Sequence, residues 1–98
     1  MLFRSVAVKQ EERFFYVSGR VRVPNRYLYS GEIKASQAIA TSGGFDQFAR
    51  RTKVEVTRAA TGKVEIVDVE AANKNPKLDI TIYPGDRIYV PESPFGIK

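Results

Sequence analysis

Six residues in one short stretch carry the strongest binding chemistry of this sequence: Tyr16, Arg20, Arg22, Arg26, Tyr27 and Tyr29. An arginine fork grips a carboxylate or phosphate through two parallel hydrogen bonds. A tyrosine offers a flat apolar face with a hydroxyl at its tip. Such a mixture suits an acidic glycan, a single nucleic-acid strand or a neighbouring protein domain, and the residues alone leave these open.

Catalysis finds no comparable grouping. The sequence holds no histidine and no cysteine, which removes the side chain best suited to proton transfer near pH 7, thiolate nucleophiles, disulfides and cysteine-ligated metal centres. Glu11 and Glu12 fall in a polar turn, Asp79 and Asp86 flank another, and Ser18 and Ser36 have no evident base. Gly43 and Gly44 follow a helix instead of opening one, so they do not form a phosphate-cradling loop. The expectation is a protein that is not an enzyme, with no cofactor and no metal.

Charge is unevenly spread. Of the net +5, residues 1–53 carry ten cations against four acids and residues 54–98 six against seven. A basic half attracts anionic partners. At 98 residues the chain has the size of one domain with one core, and it contains no apolar run long enough to span a bilayer. Its first residues lack the apolar core of a secretory signal. They fit either a cytoplasmic protein or one domain of a longer exported chain.

The elements that must position the six residues follow from hydrophobic periodicity. Val6 and Val8 alternate, as do Phe15, Val17, Gly19, Val21 and Val23, which predicts a hairpin of residues 3–8 and 14–23. Gly19 inside the strand marks a bulge or the close approach of another backbone. Pro24 ends the ladder, Asn25 and Arg26 continue the turn, and Tyr27–Tyr29 return as a short strand. The period then changes: Ala35, Ala38, Ile39 and Ser42 fall at helical spacing, predicting one helix over about 34–42 stopped by Gly43 and Gly44. Residues 53–58 and 63–67 form a second hairpin across a Thr-Gly turn. Residues 68–77 read as a loop or a single helical turn. Leu78, Ile80 and Ile82 give a short strand. Tyr83, Pro84, Gly85 and Asp86 make a type II turn in which the Asp86 carboxylate accepts nearby backbone N–H groups. Residues 87–90 are the last strand, and 92–98 form a mobile tail. The order is α+β: a mixed sheet of two hairpins and short strands packed on one helix, best fitted by the β-grasp.

Four pieces in order sharpen this reading: residues 16–21 with Pro24 and Tyr27; 38–45 with its two glycines; 54–58; and 83–91, Tyr-Pro-Gly-Asp-Arg-Ile-Tyr-Val-Pro. Over about residues 14–91 the series resembles the soluble-ligand-binding β-grasp (SLBB) domain, particularly as it occurs in bacterial outer-membrane polysaccharide export proteins. Asn25 stands where that pattern has glycine, Arg20 where it often has glutamate, and Ser42 where alanine is common. The shared residues Gly19, Pro24, Gly43, Gly44, Pro84, Gly85 and Asp86 set backbone geometry, so the resemblance speaks first of fold. It implies a non-catalytic binding and assembly module of a capsule or exopolysaccharide export protein. Its partners are then polysaccharide and neighbouring domains of the parent chain. The parent would be periplasmic, outer-membrane associated and homo-oligomeric, and the isolated domain a monomer. Two alternatives stand beside it: a free-standing basic domain that binds nucleic acid, and the same module within a redox complex.

Overall fold

The computed structural model describes residues 13–94. Its first strand, β1 (Phe14–Gly19), turns through residues 20–24 into β2 (Asn25–Leu28). A two-residue strand β3 (Ile33–Lys34) leads directly into α1 (Ala35–Thr41). The second hairpin is β4 (Val54–Thr57) and β5 (Val64–Val67). It is followed by α2 (Val69–Lys74), a 3-10 turn over Pro76–Leu78, β6 (Thr81–Ile82) and β7 (Arg87–Val90).

Five strands make one mixed sheet in the order β2-β1-β7-β4-β5, and β3 pairs with β6 in a small second sheet. The β1–β7 pair is parallel and every other pair is antiparallel. Side chains alternate across the pleat, so Phe15, Val17, Ile88, Val90, Val54, Val56 and Val67 share the face that is buried. Ala35, Ala38 and Ile39 of α1 and Ile82 of β6 complete that core. The architecture is an α+β mixed sheet with helices on one face, compatible with the β-grasp.

A helix of seven residues is too short to be stable alone, so α1 depends on burying its three-residue apolar stripe and on its ends. At its start the Lys34 N–H donates to Gln37 Oε1 (2.9 Å), and the Ser36 hydroxyl donates to Asp79 Oδ2 (2.5 Å). At its end the Gly43 N–H donates to the Ala40 carbonyl (3.0 Å) and the Gly44 N–H to that of Ile39 (2.9 Å). Both glycines have φ near +90°. This is the Schellman closure expected of the pair.

Several expectations need correction. The strand that begins at Phe14 stops at Gly19 and does not run to Val23. Gly19 has φ +90°, and a Cβ there would overlap the Val90 carbonyl oxygen, so the chain leaves the ladder at this point of closest approach. Val21 is buried through a bridge to Phe45, whereas Val23 lies in solvent. Asn25 and Arg26 belong to β2 and pair with Val17 and Tyr16. The expected strand over residues 3–8 lies outside the described residues.

A second helix, α2, occupies the stretch expected to be a loop or a single turn. Asp68 caps it by accepting the Ala71 N–H (2.9 Å), and Val69 and Ala72, three apart, are buried. Leu78 falls in the 3-10 turn, so β6 starts only at Thr81. The expected tail is pinned as far as Ser93, whose N–H donates to the Phe48 carbonyl (2.8 Å), while Glu92 bridges Ala49.

Candidate functional site

Among the described residues, nothing packs on the face of the five-stranded sheet away from the helices. Register places its side chains in rows: Arg26 opposite Tyr16, Tyr16 opposite Arg87, Tyr89 opposite Glu55, and Glu55 opposite Ile66. The guanidinium of Arg26 lies over the Phe14 ring at 4.4 Å from its centroid, and that of Arg87 over Tyr16 at 5.2 Å. Placed in this way, each cation rests against an aromatic ring, and its side chain forms no hydrogen bond among the described residues. Leu28 at one edge, Tyr89 in the middle and Val64 and Ile66 at the other edge are all about half exposed. The face is therefore cationic and aromatic over β2, β1 and β7, and aliphatic over β5.

The six residues expected to form one site fall into three places. Tyr16 and Arg26 meet on the open face. Tyr27 and Tyr29 lie on the opposite, helix-side face, where both pack on Phe15 with ring centroids 5.8 and 6.5 Å away. The Tyr27 hydroxyl donates to the Val23 carbonyl and so holds the β1–β2 turn. Arg20 and Arg22 stand beyond the end of β1, lining a depression with Asp46, Gln47 and Phe48. There the Arg20 guanidinium lies 5.0 Å over the Phe48 ring and 3.6 Å from Asp46.

The backbone-geometry residues behave as a set. Asp86 N–H donates to the Tyr83 carbonyl (3.0 Å) with Gly85 at φ +89°, the type II turn expected over Pro84 and Gly85. The Asp86 carboxylate is buried and accepts the N–H groups of Tyr83 (2.9 Å) and Ala59 (3.0 Å), as expected. Pro24 precedes β2 at the end of the turn.

Four residues that the sequence reading did not single out now matter: Arg58, Glu65, Arg87 and Tyr89. Arg58 donates to Asp86 Oδ2 (2.7 Å), to the Thr81 carbonyl (2.8 Å) and to Glu65 Oε2 (3.0 Å). Its pKa is raised, first by the Glu65 hydrogen bond, against an opposing contribution from burial, with Asp86 adding to the rise. The exposed Glu65 carboxyl is held below its ordinary range, chiefly by the Arg58 hydrogen bond. Arg87 and Tyr89 alternate with Ile88 and Val90 just as Tyr16 alternates with Phe15 and Val17. That alternation was the available signal, but only the parallel β1–β7 pairing brings the two patterns onto one face.

The fold defines a small α+β domain. The SLBB domain family model matches residues 13–90, and the chain belongs to that family, whose members are ligand-binding modules. No curated protein matches the chain.

Proposed function

We infer that this chain is a non-catalytic binding and assembly module of a polysaccharide export protein, periplasmic and associated with the outer membrane, working within a homo-oligomeric ring. The observation that carries this reading is the open sheet face, where Arg26 on Phe14 and Arg87 on Tyr16 stand beside exposed Tyr89. Tyrosine and arginine are, with tryptophan, the side chains most enriched where interface energy concentrates. The aliphatic end of the face, Val64 and Ile66, extends the same layer.

Size decides how the surface is used. Five strands at about 4.8 Å spacing and four residues at about 3.3 Å rise give a strip of roughly 20 by 13 Å. That is well under the ~800 Å² per partner of a standard interface. A lone domain is then a monomer, and assembly draws on the rest of the parent chain through many weak contacts acting together. Export of glycan, by this reading, needs the module as wall more than as receptor.

The test is the pair of charge reversals Arg26→Glu and Arg87→Glu in the full-length parent, with native mass spectrometry of the detergent-extracted oligomer and surface glycan as readouts. Loss of the oligomer with a normally folded domain supports the reading. A full ring and normal export would refute it.

A further inference from the structure

On the helix side of the sheet, at the β2 edge where Leu28 also borders the open face, the end of β2, the loop over residues 29–32 and α1 enclose an open-mouthed pocket of about 340 Å³. Phe15 and Ile33 close it from below, and Tyr29, Ser30, Glu32 and Gln37 form its rim. The volume lies at the lower end of the ~300–1,000 Å³ typical of small-ligand sites.

The rim is a set of unused hydrogen-bonding groups. The hydroxyls of Tyr29 and Ser30 and the carboxylate of Glu32 have no partner among the described residues. Gln37 is already oriented: its Oε1 accepts the Lys34 N–H, so its amide NH₂ must be the group left to donate. Both hydroxyls donate and accept, Glu32 accepts only, and Gln37 offers donors. Apolar ground with a rim of this kind matches a ring that has one C–H face and several hydroxyls, each needing both a donor and an acceptor.

Charge narrows the class. Glu32 is the one ionised group lining the pocket. The nearest cation in sequence, Lys34, is drawn away, its Nζ donating to Thr81 Oγ1 at 3.3 Å. An anionic ligand would therefore meet the Glu32 carboxylate with no cation in the pocket lining to offset the repulsion, although the chain as a whole is basic. We propose that this pocket binds an uncharged pyranose unit, its C–H face against Tyr29 and Ile33 and its hydroxyls on Glu32, Ser30 and the Gln37 amide. The choice of a sugar rests on the polysaccharide reading above, while the exclusion of an anionic ligand follows from the rim alone.

The experiment is a nitrogen-15 NMR titration of the chain. The neutral probes are methyl glycosides of glucose, galactose, mannose and N-acetylglucosamine, and the charged control is glucuronate. At least one neutral glycoside should move the amides of Gly31, Ile33 and Gln37 saturably, with glucuronate silent. Gln37→Glu keeps an acceptor for the Lys34 N–H, hence the helix start, but removes the donor. It should weaken binding on the order of fivefold, the worth of one neutral hydrogen bond. The proposal is overturned if no neutral glycoside moves these amides, if glucuronate binds as well as the best neutral probe, or if Gln37→Glu binds unchanged. Because Arg26 and Arg87 lie on the other face, a silent pocket beside a ring that depends on them would remove this site and leave the assembly reading standing.

Discussion

Arg58 and Asp86 are 28 residues apart in sequence and 2.7 Å apart in space. The contact ties the end of the β4 strand to the turn before β7. The carboxylate is 2% exposed, so removing its cation leaves a buried charge held only by two backbone N–H groups. Losing one partner of a buried pair costs about 3–5 kcal/mol, and the surviving N–H bonds put this case at the lower end. Arg58→Met should therefore lower stability by about 3 kcal/mol in urea unfolding, and a loss under about 1 kcal/mol would show that the pair is dispensable.

Glu65 gives the same network a pH dependence. Its carboxyl is depressed in the folded chain relative to the ordinary value near 4.5, so the folded state binds its proton more weakly than the unfolded state does. By linkage this contribution is fully present above the ordinary glutamate range and is lost as pH falls through the lowered folded value. Glu65→Gln should lower the melting temperature slightly at pH 7, an exposed pair being worth little, and by the same small amount flatten its fall between about pH 5 and pH 3. Parallel melting curves for both proteins over that range would contradict this.

Glycine substitutions should rank by what a Cβ meets. At Gly44 nothing lies within 4 Å, so Gly44→Ala pays only for the left-handed backbone, about 1–2 kcal/mol. At Gly43 a Cβ would also come within 3.1 Å of the Arg22 Cβ, making Gly43→Ala worse. Gly19→Ala would collide with the Val90 backbone and should cost on the order of 3 kcal/mol or more, combining strain with overpacking. Chemical denaturation of the three single variants checks the order, and equal losses would count against this reading of the backbone.

Charge reversal at Arg26 and Arg87 should leave the isolated domain folded. Each arginine loses a stacked ring worth about 0.5–1 kcal/mol at an exposed site, and neither forms an ion pair among the described residues. Circular dichroism should be unchanged and the melting temperature lowered by only a few degrees. Unfolding of the double variant would mean that the open face is needed for stability and is not reserved for partners.

Local signals were legible in the sequence. The alternation of Phe15 and Val17, the helical spacing of Ala35, Ala38 and Ile39, and the Pro84-Gly85 turn each depend on a few neighbouring residues, and each matches the structure. The misses share a cause in contacts between distant residues. Val21 and Val23 read as continuing the first strand until Val90 is placed against Gly19. Tyr27 reads as a partner of Arg26 until the pleat sends them to opposite faces. The cap at Asp68 was available locally, but Val69 and Ala72 are too few to declare a helix before the core that buries them is known. The six candidate residues clustered in sequence because they flank one turn, and a turn separates faces as readily as it joins them.

The parallel pairing of β1 with β7 gives the domain a mechanical character. Tension that enters at Phe14 and leaves at Val90 pulls these two strands past each other along their length, so the hydrogen bonds between them carry the load side by side. An antiparallel terminal pair under the same pull would peel apart one bond at a time. A module strung between other domains and built this way yields abruptly at high force instead of gradually, and it transmits strain between its neighbours without lengthening.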